Sequence, residues 1–211
     1  MSLNLDAWTK PDIGALFVVT GASGTGKTTL VKRALAAIPN IQFSVSATTR
    51  KPREGEIDGV DYHFTSMEDF DVLKSQGALL EWAQVYANCY GTLKAPVEEA
   101  LKNGDSILLE IDQLGAAQVK EKMPDAISIF VLPPNMHSLE TRLRNRNTDS
   151  EEIIQRRLRE AQDQLDHCGD FDYLVVNDKL ESACDQFMSI LISELLKRSR
   201  RPTLVQQFVS K

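Results

Sequence analysis

Short continuous apolar runs alternate along the chain with longer segments whose apolar residues recur at helical spacing. The runs at residues 15–20, 106–111 and 126–132 are apolar almost throughout, as buried strands are, and shorter ones lie at 41–44, 79–86 and 173–176. Helical spacing predicts helices over 28–38, 66–76, 96–102, 114–122, 136–144, 151–166 and 180–197. Ser66 is the expected N-cap of the second, with Asp69 three residues on, while Asn103-Gly104 and Pro124 stop the third and fourth. Fully apolar strands alternating with helices predict an α/β fold, a parallel sheet covered by helices on both faces. Residues 46–95 break the rhythm. They alternate in short pieces, hold Gly55, Gly59, Gly77 and Gly91, and carry Tyr62, Trp82, Tyr86 and Tyr90. This stretch reads as a small subdomain inserted into the core.

Length and charge narrow the picture. The 211 residues suit one core with one insertion. With 24 Lys and Arg against 30 Asp and Glu, the formal charge is −6, which argues against nucleic acid or an anionic membrane as partner. No apolar run approaches the ~18 residues of a membrane span, and residues 1–11 show no apolar stretch of the secretory kind. Cys89, Cys168 and Cys184 form no C-x-x-C pair, and His63, His137 and His167 are scattered. That usage predicts reduced thiols, a cytoplasmic setting and no zinc site.

The candidate chemistry begins directly after the first strand. Residues 21–28 read Gly21-Ala22-Ser23-Gly24-Thr25-Gly26-Lys27-Thr28, which fits G-x-x-x-x-G-K-[ST] at every position. The spacing predicts a phosphate loop (P-loop). Backbone N–H groups and the following helix N-terminus form an anion cradle. Lys27 reaches the phosphates and the Thr28 hydroxyl is a ligand for Mg²⁺. A second feature, Glu110-Ile111-Asp112, ends the strand at 106–111. An acid there is either the Mg²⁺-linked acid of such proteins or a strand-end turn residue.

Two arginine groups point to the rest of the reaction. Arg50 and Arg53 lie three apart in Thr49-Arg50-Lys51-Pro52-Arg53. Their planar guanidinium forks suit a phosphate monoester, with Tyr62 and Tyr90 as possible hydroxyl donors; a solvated basic turn balanced by Glu54 and Glu56 is the competing reading. Arg142, Arg144, Arg146, Arg156, Arg157 and Arg159 place six arginines in eighteen residues around the polar break at 145–150. Such a cluster is either a solvated helix face paired with Glu151, Glu152 and Glu160, or a closing lid that stabilises phosphoryl transfer.

Together these segments resemble the guanylate kinases. The resemblance runs from about residue 14 to 196 and rests on several motifs in order: GASGTGKTT at 21–29, SVSATTRKPREGE at 44–56, GVDYHF at 59–64, LLEWA at 79–83, YGT at 90–92, LLEIDQLG at 108–115, the arginines of RLRNRN and QRRL, and VVND at 175–178. It implies a P-loop NTPase core with an inserted GMP-binding subdomain and a helical lid. Its expected limits are core 14–45, 96–141 and 158–198, insertion 46–95, lid 142–157 and tail 199–211. The implied reaction is ATP + GMP (or dGMP) → ADP + GDP (or dGDP), with Mg²⁺. The resemblance assigns Gly21, Ala22, Ser23, Gly24, Thr25, Gly26, Lys27, Thr28, Thr29 and Asn177 to ATP. It assigns Ser46, Glu81, Thr92 and Asp112 to the guanine side, and Arg50, Arg53, Tyr62 and Tyr90 to the GMP phosphate. Lys27, Arg50, Arg142, Arg146 and Arg157 become the catalytic cations, and Thr28 the Mg²⁺ ligand.

Three departures stand out. Ala22 replaces a usual proline, Asn145 and Asn147 replace lid glycines, and Glu110 stands where Asp is also common, so Glu110 is not assigned as a direct ligand. Three other readings stay open at this level. One is a peptide-binding relative, which typically has a degraded phosphate loop. Another is a GTPase, for which Asp112-Gln113-Leu114-Gly115 spells D-x-x-G but no N-K-x-D follows. The third is a kinase of a phosphorylated sugar. Oligomeric state is undecided. The basic run 197–201 is expected to be the solvated end of the last helix.

Overall fold

The computed structural model describes residues 9–145 and 150–209. In chain order the strands are β1 (Leu16–Thr20), β2 (Ile41–Phe43), β3 (Ala47–Thr48), β4 (His63–Phe64), β5 (Leu79–Val85), β6 (Asn88–Leu93), β7 (Ser106–Glu110), β8 (Ile127–Leu132) and β9 (Tyr173–Val176). The helices are α1 (Lys27–Ala37), α2 (Met67–Ser75), α3 (Lys94–Lys102), α4 (Gln113–Lys122), α5 (Met136–Arg144), α6 (Glu151–Leu165), α7 (Leu180–Leu195) and α8 (Pro202–Gln206).

The main sheet runs β2-β7-β1-β8-β9 and all its pairings are parallel. Its two faces are written into alternate residues of the central strands. Phe17 and Val19 of β1 pack with Leu30, Val31 and Ala34 of α1 and with Phe187 and Leu191 of α7. Leu16 and Val18 face the other way, onto Val97 of α3 and Ala116 and Val119 of α4. Each such burial stabilises the fold by roughly 1.5–3 kcal/mol, which offsets much of the chain entropy lost. Both faces are covered, as the apolar runs predict.

The second sheet draws its strands from Ala47 to Leu93, in the order β4-β3-β6-β5. A smaller core of Ala47, Phe70, Leu79 and Cys89 lies under it. Ser66 caps α2 through the backbone N–H of Asp69, as its position predicts. The hairpin β5–β6 is the main difference from the expected elements, which have one strand at 79–86 and no strand between it and the helix at 96–102. The turn uses Tyr86 at φ 56 and Ala87, with Val85 paired to Asn88. No Asn-Gly or Gly-x pair marks it, so the usual hairpin signal is missing.

The carboxyl end also differs. Helix α7 stops at Leu195, short of the expected 197, and residues 198–200 form a 3₁₀ turn that leads into α8. Arg200 is half-buried rather than solvated. One of its Nη atoms donates to the Gly14 carbonyl, and its own carbonyl accepts from the N–H of Asp12 and Ile13. Burial lowers its pKa from the usual arginine value. The basic run thus fastens the segment before β1, at the amino end of the sheet. Among the described residues no helix is long and apolar enough to cross a membrane.

Candidate active site

Parallel strands bring their carboxyl ends to one edge, where backbone groups and helix N-termini converge. β1 ends there at Thr20, and the next residues form the phosphate loop before α1. Gly21 and Gly26 have backbone needs that other residues do not meet. A Cβ at Gly21 would lie 2.4 Å from the Val131 carbonyl oxygen. Gly26, the residue before α1, has φ 93, and a Cβ there would lie 2.4 Å from Asn177 Nδ2. Thr25 is buried, and its hydroxyl donates to the Ala22 carbonyl at 2.9 Å. Ala22 is buried too, packed with Leu139, Leu143 and Ala161 of α5 and α6. Lys27 Nζ donates to the Gly21 and Ala22 carbonyls, the latter at 3.1 Å.

The loop lines a cavity of about 460 Å³ with Ser23, Gly24, Thr28, Thr29, Glu110, Ile111, Asp112 and Gln164. Within it the Thr28 hydroxyl donates to Glu110 Oε1 at 2.8 Å. A hydroxyl and two carboxylates are the hard oxygen donors that suit Mg²⁺ beside phosphates. Gln164 is a lining residue that sequence reading missed; its place on α6 carries no motif.

A second cavity, of about 290 Å³, holds Ser46, Tyr62, Glu81, Tyr90 and Asp112 among its walls. Glu110, Ile111 and Asp112 line both cavities. The end of β7 is therefore the party wall between them.

Glu81 is 5% exposed, and its Oε1 accepts from the Thr92 hydroxyl at 2.6 Å. Burial raises its pKa, the Thr92 bond lowers it, and the nearby Asp112 charge raises it further, for a net rise from the ordinary carboxylate value. Asp112 is the N-cap of α4, its Oδ1 accepting from the Gly115 N–H at 2.8 Å. It is a capping residue as well as a wall of both cavities.

Arg50 is held on several sides. Its two Nη atoms donate to the Glu56 carboxylate at 2.9 and 2.8 Å, and Nη1 also reaches the Lys51 carbonyl at 2.9 Å. Its guanidinium lies 5.3 Å from the Tyr62 ring centroid and interacts with the Tyr90 hydroxyl. Glu56 also accepts from the Arg53 backbone N–H at 2.7 Å. These bonds hold the Glu56 pKa at about 2 and raise that of Arg50. In the sequence Glu56 figures only beside Glu54 as charge balance in one of two readings of the turn, and nothing in its spacing from Arg50 announces the two-pronged bond. Arg53 itself is exposed and contributes its backbone to this pairing.

The lid arginines separate. Arg144 pairs with Glu140 and Glu151 on the surface and so bridges α5 to α6. Arg156 pairs with Glu160 at 3.5 Å. Arg142 donates to the Asn177 carbonyl at 2.8 Å, and Arg157 is half-buried on α6. Neither lines the phosphate cavity. Arg146 lies outside the described residues. Asn177 is buried, and its Nδ2 donates to the Thr25 carbonyl at 2.7 Å. It supports the loop from behind, a bond across 152 residues that no local pattern announces.

Comparison with known proteins agrees with this geometry. The sequence model of the family described as guanylate kinase matches residues 14–194. The chain belongs to the guanylate kinase family. It is 45% identical over 193 residues to a guanylate kinase of Desulfitobacterium hafniense, covering 92% of this chain and 96% of that one. With a guanylate kinase of Parasynechococcus marenigrum it shares 53% over 171 residues, or 81% and 94% of the two chains. The crystal structure of guanylate kinase from Anaplasma phagocytophilum superposes with a TM-score of 0.72 at 34% identity, covering 95% and 96%. As a guanylate kinase, the protein is a nucleoside monophosphate kinase that carries a phosphoryl group from ATP to GMP.

Proposed function

We propose that ATP sits with its phosphates in the loop cavity and GMP in the adjoining one, and that the γ-phosphoryl group passes between them over the end of β7. The observation that carries this reading is the shared wall Glu110-Ile111-Asp112. A GMP phosphate oxygen attacks the γ-phosphorus in line. That oxygen is already anionic at neutral pH, so the site has no need of a strong general base, and positioning and charge stabilisation do most of the work.

On this reading Gly21 to Thr29 bind the ATP phosphates, and Lys27 neutralises charge on the transferring group. Thr28 and Glu110 are where Mg²⁺ would be held, directly or through water, and the ion would offset the phosphate charge. Glu81 accepts guanine N1–H and the 2-amino group, with Ser46, Thr92 and Asp112 around it. Arg50, Arg53, Tyr62 and Tyr90 hold the GMP phosphate. Asn177 keeps the loop in shape rather than reading adenine through its amide nitrogen. Arg142, Arg146 and Arg157 reach the transferring group when residues 142–157 close over it, which excludes water and limits ATP hydrolysis. The segment 46–95 closes from the other side. The acidic chain works on small molecules in the cytoplasm and accepts dGMP as well as GMP.

A coupled assay of ATP-dependent ADP release across four monophosphates tests this. GMP should be turned over far faster than AMP, UMP or CMP; preference for AMP or UMP overturns the base assignment.

Glu56 offers a second check. Glu56→Gln removes the charge that aims Arg50 and leaves one acceptor oxygen for three donors, the two Arg50 Nη atoms and the Arg53 N–H. The KM for GMP should rise about tenfold, as for loss of a charge-assisted bond, with the KM for ATP unchanged. The pairing's contribution to stability is complete above pH ~4.5, the ordinary glutamate range, and is lost as pH falls toward about 2. The variant should therefore be less stable than the parent at neutral pH, and the gap should narrow in acid.

A further inference from the structure

We propose that Gln118 is a positioning residue for guanine selection, because it locks the strand that carries Glu81 onto the helix that carries Asp112. The inference rests on Glu81 being the guanine-reading carboxylate.

β5 is the outer strand of the second sheet. An outer strand presents unpaired backbone N–H and C=O groups. Here α4 takes the place of a further strand. The Gln118 side-chain amide makes both bonds to Trp82, its Oε1 accepting from the backbone N–H and its Nε2 donating to the carbonyl, each at 3.1 Å. One helical turn on, Lys122 Nζ donates to the Leu79 carbonyl at 3.0 Å. Between them Leu80 is fully buried in the main-sheet core beside Val97, Ala116 and Val119. Glu81 is thus held from both chain directions. Leu80 anchors it on one side and the Gln118 bonds to Trp82 on the other.

The same face of α4 meets the carboxylate itself. A Cβ at Gly115 would lie 3.1 Å from Glu81 Oε2 and 3.4 Å from Asp112 Oδ1. Gly115 leaves the room that lets the two carboxylates share the first turn of α4. The Asp112-Gln113-Leu114-Gly115 run, which spells a GTPase pattern, serves this close approach. Gly115, Gln118 and Lys122 follow the i, i+3, i+7 spacing of one helix face. Arg50 and Tyr62, by contrast, lie on the β3–β4 side, where Arg50 pairs with Glu56 and Tyr62 packs edge-on against Tyr90. The base-reading pair is preassembled on the core side of the second sheet, so the position of Glu81 does not depend on where the phosphate-binding arginines stand.

The test compares kcat/KM for GMP and for inosine 5′-monophosphate, which is the same nucleotide without the 2-amino group. Parent, Gln118→Ala, Gln118→Glu and Glu81→Gln enzymes are measured. Alanine is a better helix former than glutamine, so the first variant keeps α4. Gln118→Ala should reduce the preference for GMP over the inosine nucleotide roughly tenfold, the scale of one hydrogen bond losing alignment, with the KM for ATP unchanged. Gln118→Glu keeps the acceptor for the Trp82 N–H but loses the donor, so its preference should fall between those of parent and alanine variant. A purely structural role would lower both substrates' kcat/KM together. An unchanged ratio in Gln118→Ala, with Glu81→Gln losing it, therefore overturns the proposal. An unchanged ratio in both variants overturns the Glu81 reading, and the proposal with it.

Discussion

Replacing Lys27 with alanine should lower the turnover of GMP on the order of 10³-fold, the upper end of what one electrostatic donor contributes at such a centre. The argument is one of charge. Phosphoryl transfer spreads negative charge over the equatorial oxygens of the moving group, and the chain offers little covalent chemistry to help. Lys27 is the cation that the loop itself carries into the cavity. Its ammonium donates to the Gly21 and Ala22 carbonyls. Gly21 lines the cavity and the Ala22 carbonyl keeps the Thr25 hydroxyl as a donor, so losing the lysine costs the fold no more than about 1 kcal/mol. Far-UV circular dichroism should therefore be unchanged while ADP release nearly stops. Lys27→Met, which keeps the apolar stem, should be as inactive as the alanine variant. Near-normal turnover in either would remove Lys27 from the mechanism.

That prediction is legible from sequence because the residues that answer the loop's demands are contiguous. The Val131 carbonyl, the Asn177 amide and a positive φ require glycine at Gly21 and Gly26; the partners are distant, but the glycines, Lys27 and Thr28 fall in one run. The strands β1, β7 and β8 are legible for a similar reason: burial on both faces leaves few polar positions to blur the pattern. The cluster of Ser46, Tyr62, Glu81, Tyr90 and Asp112 was not a spacing at all. Only resemblance to a family gathered those positions, and the cavity now shows them side by side.

What the sequence did not show depends on distant partners. The Asn177 amide meets Thr25 across 152 residues, and Arg200 meets Gly14 across 186. The resemblance places Asn177 near ATP and the basic run of Arg200 reads as solvated, and neither reading names the partner that holds the side chain. Glu56 was hidden differently. It stands six residues from Arg50, but one net charge in a mixed turn cannot reveal a two-pronged bond. Gln118 was concealed by its own ordinariness, since a glutamine on an amphipathic helix carries no signal that it faces a strand edge.

Glu81→Gln should cost the enzyme its base selection, by about 10²-fold in kcat/KM for GMP. Guanine presents two donors, N1–H and the 2-amino group, and a carboxylate can accept both. The glutamine amide offers one acceptor and one donor, so a guanine N–H then faces another N–H with no water to relieve it. Leaving a buried donor unpaired costs about 1–3 kcal/mol, with more for the lost charge. Adenine, whose N1 accepts, is penalised less by glutamine than by glutamate, so the GMP-to-AMP ratio should fall further than the GMP rate alone. The buried position adds a pH signature. Burial holds the Glu81 pKa above its ordinary value, so the guanine-accepting form is lost as pH falls through that raised value. The KM for GMP should climb in acid for the parent more steeply than for the variant. Comparing the two profiles removes the titration of the substrate phosphate, which both enzymes share. Stability should move the opposite way. A carboxyl with a raised folded pKa contributes its stabilisation fully below the unfolded value and loses it as pH rises through the folded one. At pH 8 the parent holds a buried charge that the glutamine lacks, while either side chain can accept from the Thr92 hydroxyl. The variant's melting temperature should therefore match or exceed the parent's at pH 8, with the margin shrinking toward pH 4. A variant that selects guanine as well as the parent would take Glu81 out of base recognition.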